Sequence, residues 1–178
     1  MPILIKNCLP NATNWPEQLV VVNCGKFYQR QRANQVYACP AKNASYSHRR
    51  CLYLGMYLDL AVKCIARVSG VVDIDPLGNA APKVLWNNED PSQYSDNQLI
   101  ADACERLTAC FSPTHAKYCT PHRVFVLRDF SDTHFRTGDR FKIKYSKRYF
   151  WVGDEQVRAT NAEELAQNLR GLKWTYWE

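Results

Sequence analysis

The sequence lacks a long apolar run, and it lacks a basic leader followed by an apolar core. It opens Met1-Pro2-Ile3-Leu4-Ile5-Lys6, and no later segment approaches the roughly 20 apolar residues that a membrane-spanning helix needs. We therefore expect no export, no membrane partner and a cytoplasmic location. In such a chain the eight cysteines are better explained as reduced core thiols than as a disulfide framework.

Glycine is scarce, because only 7 of the 178 residues are Gly and they are scattered. No glycine-rich loop that could hold a phosphate is present, which argues against the common nucleotide-binding folds. The chain also lacks internal repeats, linkers and low-complexity tracts, and its length suits one hydrophobic core. We therefore expect a single domain over residues 1–178.

Basic and acidic residues are segregated along the chain, which carries a formal net charge of +6. Residues 26–67 contain eight Lys and Arg against the lone acid Asp59, whereas residues 73–105 contain seven acids and one base, Lys83. This asymmetry would give the fold a positive region that attracts an anionic partner. Ordinary solvated strand faces are the alternative explanation.

Apolar periodicity predicts an α+β fold with a curved or partly closed antiparallel β-sheet and two main helices. The first helix begins after Ser95, where Gln98 completes a capping box, and the second covers Asn161 to Arg170 between a cap at Thr160 and Gly171. Gly153-Asp154 is expected to form a tight hairpin. Strands are predicted at Gln18–Cys24, Asn34–Cys39, Arg50–Leu58, Ala61–Ile74, Arg123–Leu127, Asp139–Tyr145, Arg148–Val152 and Gln156–Thr160.

The basic first half interleaves cations with aromatic residues, and a second cluster of this kind lies within residues 142–151. Guanidinium groups bind phosphates in a bidentate manner while aromatic faces stack on bases, as in proteins that bind single strands or flipped bases. The sequence therefore predicts a nucleic-acid-binding module, with nucleic acid as its partner and no cofactor. The candidate contact residues are Arg30, Arg32, His48, Arg49, Arg50, Tyr53, Tyr57, Trp86, Lys142 and Lys144.

Two segments resemble PUA-like barrel domains of the EVE and ASCH types. Tyr53-Leu54-Gly55-Met56-Tyr57 followed by Ala61 to Val68 is similar to a strand pair of EVE-type barrels. Thr137-Gly138-Asp139-Arg140-Phe141-Lys142-Ile143 is similar to the Gly-Asp turn that enters a strand in ASCH-type domains. The resemblance implies a PUA-like barrel that reads RNA or modified DNA through an aromatic pocket, lined by Tyr53, Tyr57 and Trp86. An ordinary core position is the alternative for each of these rings.

A metal-dependent nuclease or related hydrolase is the first alternative function. Asp73 and Asp75 flank Ile74 near a strand end and could bind Mg²⁺, with Glu89 and Asp90 as further carboxylates. However, the chain contains no Asp-x-Lys or Glu-x-Lys motif, and an acidic turn before Pro76 explains the same residues. The sequence therefore favours a binding module over an enzyme without deciding between them.

Two further alternatives concern metal and protein partners. Zinc needs four ligands in a tetrahedral arrangement, and the Cys and His residues between positions 110 and 122 match no common zinc-binding spacing, so we expect no zinc. The aromatic end at residues 173–177 is the basis for a protein-interaction domain. The sequence determines neither the oligomeric state nor a choice between DNA and RNA. The residues that would form the zinc site are Cys110, His115, Cys119 and His122.

Overall fold

A computed structural model describes residues 12–41, 47–112, 114, 119–138 and 146–174, which contain three α-helices and eight strands. Short 3₁₀ helices occupy Ala12–Glu17 and Gly25–Phe27. No helix in these ranges is both long enough and apolar enough to cross a membrane. The elements are β1 (Gln18–Asn23), α1 (Tyr28–Ala33), β2 (Val36–Pro40), β3 (Tyr53–Leu58), β4 (Ala61–Ile74), β5 (Lys83–Asn87), α2 (Asp96–Cys110), β6 (His122–Thr137), β7 (Lys147–Trp151), α3 (Ala162–Leu169) and β8 (Lys173–Trp174).

The sheet is mixed. Its strand order is β2-β6-β4-β3-β1-β7, with β5 paired to β4 and β8 paired to β6. The pairs β1–β3 and β6–β8 are parallel, whereas β1–β7, β2–β6, β3–β4 and β4–β5 are antiparallel. The predicted α+β class with two main helices, α2 and α3, is confirmed, and the sheet combines the expected antiparallel pairs with two parallel pairs. About 30 residues separate β1 from β3, and a parallel pair requires a long connection of this kind.

Residue contacts divide the chain into two compact units, each assembled from separate segments. Unit 1 comprises Met1–Tyr28, Arg49–Arg67 and Asp129–Glu178, and unit 2 comprises Gln29–His48 and Val68–Arg128. Strands β4 and β6 therefore contribute residues to both units. A single domain over residues 1–178 stays a prediction.

The core of unit 1 lies between α3 and its strands. The apolar residues of α3 recur at spacings of three and four, which places them on one helix face, and all of them are buried. The Phe135 and Trp174 rings lie 4.4 Å apart between their centroids at the centre of this core. The buried members are Leu19, Val21, Tyr53, Tyr57, Val62, Ile65, Phe135, Phe150, Val152, Val157, Ala162, Leu165, Ala166, Leu169 and Trp174.

The segment between β7 and α3 differs from the prediction. Residues Gln156–Thr160 form no strand, because the backbone N–H groups of Val157 and Arg158 both donate to the Asp154 carbonyl at 3.0 and 2.7 Å and close a turn. Gly153 does not have the positive φ of a tight hairpin glycine. Its Cβ would instead lie 2.5 Å from Glu17 Oε2, so close packing explains the glycine. The predicted strand Asp139–Tyr145 lies outside the described residues.

The two main helices begin close to where their capping residues predict. At α2, the Ser95 side chain accepts from Gln98 N at 3.3 Å and Gln98 Oε1 accepts from Ser95 N at 2.7 Å, so the capping box is confirmed. At α3 the cap is Asn161 rather than Thr160, because Asn161 Oδ1 accepts from Glu164 N at 2.9 Å. Gly171 follows α3 with a φ of +81°, a conformation that favours glycine.

In unit 2, α2 packs against β2 and β5 and buries Leu99, Ala103, Leu107 and Cys110. The helix also approaches Gly70 of β4, where a Cβ would lie 2.4 Å from Leu99 Cδ2. The register shift of the β4–β5 pair lies one residue later, between Val71 and Val72. Gly70 is therefore explained by the contact with the helix.

Most cysteines are core residues, as expected. Five of the seven described cysteines are buried, and all seven are free thiols. Burial raises the pKa of Cys51 to about 12 and that of Cys110 to about 11, and it raises the pKa of Cys24 as well. These three thiols are therefore protonated at neutral pH and are poor nucleophiles.

The turn between β3 and β4 is strained. Leu58 pairs with Ala61, so the loop contains only Asp59 and Leu60, with φ values of +49° and +65°. A two-residue turn with two positive φ angles usually has glycine at its second position. A side chain in this region costs about 1–2 kcal/mol, yet Leu60 occupies it with 39% of its surface exposed.

We predict that Gly70→Ala lowers the free energy of unfolding by about 1–3 kcal/mol, because the new methyl group overlaps Leu99. Urea unfolding of Gly70→Ala, Leu99→Ala and the double variant measures the effect. The double variant should lose at least about 0.5 kcal/mol less than the sum of the single losses. Strict additivity would show that the two residues do not compete for the same space.

Candidate nucleic-acid interface

Four residues of unit 1 form what we term the cation–aromatic surface: Trp15, Arg49, Arg50 and Tyr149. Trp15 precedes β1, the two arginines precede β3, and Tyr149 lies within β7. Because β1 pairs with both β3 and β7, these three segments lie side by side. The backbone N–H of Leu52 also donates to the Trp15 carbonyl at 3.1 Å, which links the segments before β1 and β3.

Arg49 contacts Tyr149 through both its backbone and its side chain. Its backbone N–H donates to the Tyr149 hydroxyl at 2.9 Å across 100 residues of sequence. Its guanidinium carbon lies 5.2 Å from the centroid of the same ring, within the range of a cation–π contact. The Tyr149 side chain therefore fixes the position of an exposed arginine.

Arg50 lies over the indole of Trp15, with 4.0 Å between the guanidinium carbon and the ring centroid. Arg50 is exposed and Trp15 is half-buried. Partial burial lowers the pKa of Arg50 from its usual value, but an arginine remains charged at neutral pH. The pair therefore presents a cation and an aromatic ring together.

The structure joins the two basic clusters that the sequence shows separately. Lys147 and Arg148 precede Tyr149 in β7, and the Arg148 guanidinium carbon lies 5.6 Å from the centroid of the Phe150 ring. Tyr149 therefore connects this cluster to Arg49. Lys142 and Lys144, the members of the cluster proposed from the sequence, lie outside the described residues.

The expectation that Tyr53 and Tyr57 stack on bases is wrong for this structure. Both are 2% exposed and belong to the unit 1 core, where the Tyr57 ring lies 6.1 Å from that of Trp174. Burial is the main cause that raises the pKa of Tyr53. Alternation along β3 placed the two tyrosines on one face, and that face is the one α3 covers.

The remaining predicted contact residues belong to unit 2. Arg30 is exposed on α1, and Arg32 is half-buried there. His48 and Trp86 both lie against Phe125, with 4.9 and 6.1 Å between ring centroids. The structure therefore places two of the predicted residues in one aromatic cluster.

Two polar atoms beside this aromatic cluster are buried. Trp86 Nε1 and Ser69 Oγ have no hydrogen-bond partner among the residues that the structure describes. Ser69 and Val71 lie on the same face of β4 because strand side chains alternate, and Trp86 pairs with Val71. Buried polar groups rarely lack a partner, so these two atoms are exceptions within the described part of unit 2, and Ser69 itself is fully buried.

The two carboxylates proposed for Mg²⁺ have other roles. Asp73 receives bonds from both Arg123 Nε and Arg123 Nη2 at 2.8 Å, and the two side chains are 26% and 14% exposed. Asp75 accepts from Leu77 N at 3.0 Å and stabilises a turn. Asp73 is therefore balanced by a cation, which corrects its interpretation as a metal ligand.

Other acids of residues 73–105 also stabilise unit 2. Asp102 accepts from the Tyr94 hydroxyl at 2.6 Å and lies 3.7 Å from both Arg106 and Arg128. Burial and then the bond to Asp102 raise the pKa of Tyr94 to about 12. Hydrogen bonds from Ser92 lower the pKa of Asp90. The acidic segment is explained by internal contacts of unit 2.

The described residues contain no group of three or more His, Cys, Asp or Glu placed to bind one metal. Cys110 and His122 are buried, Cys119 is exposed, and His115 lies outside the described residues. Trp174, part of the aromatic end proposed for protein partners, is fully buried in unit 1.

Sequence reasoning did not identify Trp15 or Tyr149 as contact residues. Tyr149 belongs to the second basic and aromatic cluster, so composition could have suggested it. Trp15 stands apart from both clusters, and no local signal predicts its contact with Arg50.

Comparisons with known proteins assign no family to this chain. No protein-family model and no curated protein match the chain. Among solved structures, the chain matches a mutant of the ZmASCH protein from Zymomonas mobilis, with a TM-score of 0.33 and 14% identity over 65% of this chain and 71% of that chain. That protein bears the name of the ASCH type of domain, one of the two types that segments of this chain resemble in sequence. At this TM-score the match carries no argument about the site or the activity.

We predict that Asp73→Asn lowers the free energy of unfolding by about 1–3 kcal/mol, because it removes the charge that balances a mostly buried Arg123. Asp75→Asn is the control and should cost less than about 1 kcal/mol, since only a turn contact changes. Thermal unfolding with and without Mg²⁺ tests both. A Mg²⁺-dependent stabilisation of the wild type that Asp73→Asn abolishes would restore the metal-site interpretation.

Proposed function

We propose that this protein is a nucleic-acid-binding module and that the cation–aromatic surface of unit 1 contacts the bound strand. The observation that carries the proposal is that two consecutive arginines are each held over an aromatic ring, Arg49 over Tyr149 and Arg50 over Trp15. Arg–aromatic pairs of this kind combine phosphate binding with a surface on which bases stack.

The positions of these arginines support the proposal because each guanidinium is held against an aromatic ring. Arg123 in unit 2 shows the contrast, since both of its bonds to Asp73 are made to a carboxylate. A ring restricts the position of a guanidinium through a cation–π contact. The ring contacts therefore reduce the cost of ordering the Arg49 and Arg50 side chains when a phosphate binds.

The rings favour a single-stranded or distorted nucleic acid over a regular duplex. In a duplex the base faces are stacked on each other, whereas an unpaired base can stack on an indole or on a guanidinium plane. Such stacking tolerates every base, so the surface itself would give affinity with little sequence preference.

The aromatic cluster of unit 2 supports a finer proposal, that this module also reads a base. The partly exposed rings of His48 and Trp86 pack on the fully buried Phe125, and Trp86 Nε1 is a donor that the described part of the chain does not satisfy. A flipped base is recognised by this combination of rings and polar contacts to its edge.

We predict that Arg49→Ala with Arg50→Ala reduces the slope of log affinity against log salt by about one to two, because each lost phosphate contact releases fewer counterions. Fluorescence anisotropy with a labelled single strand at several salt concentrations measures the slope. The matched control is Arg136→Ala with Arg170→Ala, two exposed arginines elsewhere in unit 1. Equal slopes for the two double variants would indicate a general charge effect and no defined site.

We predict a different result for Trp15→Ala, which should weaken binding by about 1–3 kcal/mol while leaving the salt slope nearly unchanged. The ring contributes stacking and carries no charge, so counterion release is unaffected. The same anisotropy titrations test this, with circular dichroism to confirm that the variant is folded. A changed slope with no loss of affinity at low salt would show that Trp15 only supports Arg50.

A further inference from the structure

We propose that Leu60, at the tip of the β3–β4 hairpin, is an apolar wedge that enters between neighbouring bases of the bound strand. The inference rests on the proposed nucleic-acid function and adds a second point of contact in unit 1. It begins from the strained turn, in which Leu60 has a φ of +65°.

The backbone conformation does not favour a leucine at this position, because its φ is positive. A bulky residue at positive φ is a conformational outlier, and glycine or asparagine would relieve the strain. The side chain is also one of two large apolar residues exposed in the described part of the chain, the other being Leu77 of unit 2. The contact made by the turn inside unit 1 uses the backbone, because the Leu60 carbonyl accepts from Thr137 N at 3.2 Å. A glycine could make that same bond. A strained and exposed apolar residue is therefore better explained by function than by stability.

Three lysines lie at the same end of the strands as this turn. Lys147 begins β7 opposite Val22, and Val22 lies beside Met56 near the end of β3. Lys26 comes two residues after Cys24, whose backbone N–H donates to the carbonyl of Tyr57 near the end of β3. Lys63 lies near the start of β4. Asp59 is the carboxylate of the turn itself. The apolar tip is therefore placed among groups that attract phosphates.

An exposed apolar tip with lysines at the same end of the strands fits nucleic acid as the partner. Proteins that unstack bases insert Leu, Ile, Met or Phe between base steps while cations hold the flanking phosphates. A lipid surface attracts lysines too, but a lone leucine gives little depth of insertion compared with the several apolar residues of an amphipathic anchor. The cation–aromatic surface in the same unit also favours a strand that can stack.

The test uses the full chain and oligonucleotides that contain 2-aminopurine, which fluoresces more strongly when it is unstacked. Wild-type protein should increase the fluorescence at one or two positions of the oligonucleotide. Leu60→Gly should abolish that increase, weaken binding roughly tenfold and leave the salt slope unchanged. The same variant should raise Tm by about 2–4 °C because the strain in the turn is relieved.

Leu60→Asn, which tolerates positive φ, should behave like Leu60→Gly, and Leu60→Met should retain the fluorescence increase. Leu77→Asn is the control and should match the wild type in binding.

Each outcome decides between the proposals. Salt-dependent binding that needs Arg49 and Arg50 but is equal in wild type and Leu60→Gly, with the same fluorescence, would overturn the wedge and keep the proposed function. No binding of any oligonucleotide by folded wild type at about 0.1 M salt would overturn both. Binding to vesicles of phosphatidylserine that is lost in Leu60→Gly, without unstacking of 2-aminopurine, would assign the tip to a membrane surface instead.

Discussion

The structure of unit 1 depends on β1, a six-residue strand that is buried on both faces. Leu19 to Val22 have no exposed surface, and side chains of a strand alternate between its faces. Leu19 and Val21 therefore contribute to the core under α3, while Val20 and Val22 are buried on the other side. One neighbour of β1 runs parallel to it and the other runs antiparallel, so this strand brings together segments that are distant in sequence. Register with β1 places the start of β3 and the middle of β7 together, and from this follow the contacts of Arg49 with Tyr149 and of Arg50 with Trp15.

Much of the local structure could be predicted because local chemistry determines it. The capping box at Ser95 and the apolar stripe that follows it fixed the start and the buried face of α2, and the apolar run after Gln18 identified β1. Pairing direction could not be predicted in this way. Strands that follow one another in sequence suggest antiparallel neighbours, and no local signal shows that β3 returns beside β1 after about 30 residues. A strand was wrongly predicted at Gln156–Thr160 because a short apolar alternation does not distinguish strand from turn.

The sequence predicted that the candidate site combines arginines with aromatic rings, but it identified only some of the residues. Arg49 and Arg50 lie on the surface as expected, while Tyr53 and Tyr57, equally plausible by alternation, point into the core. A period of two separates the faces of a strand but does not say which face is covered when both carry apolar residues. Trp15 and Tyr149 were missed because their contacts with the arginines are tertiary. His48 and Trp86 come together only through Phe125, about 40 residues from Trp86 in the sequence.

Charge segregation in the sequence was informative, but for a reason that the structure alone reveals. Residues 73–105 look strongly acidic in the sequence, yet Asp73 and Asp102 are matched by Arg123, Arg106 and Arg128 within unit 2. These three arginines lie outside residues 73–105, so the charge count of that segment does not include them. The kind of neighbour therefore says more about an arginine than the local count of charges, since Arg49 and Arg50 each contact an aromatic ring. A carboxylate that accepts both bonds of a guanidinium, as Asp73 does from Arg123, makes the arginine a structural contact, whereas an aromatic ring holds a guanidinium in position through a cation–π contact.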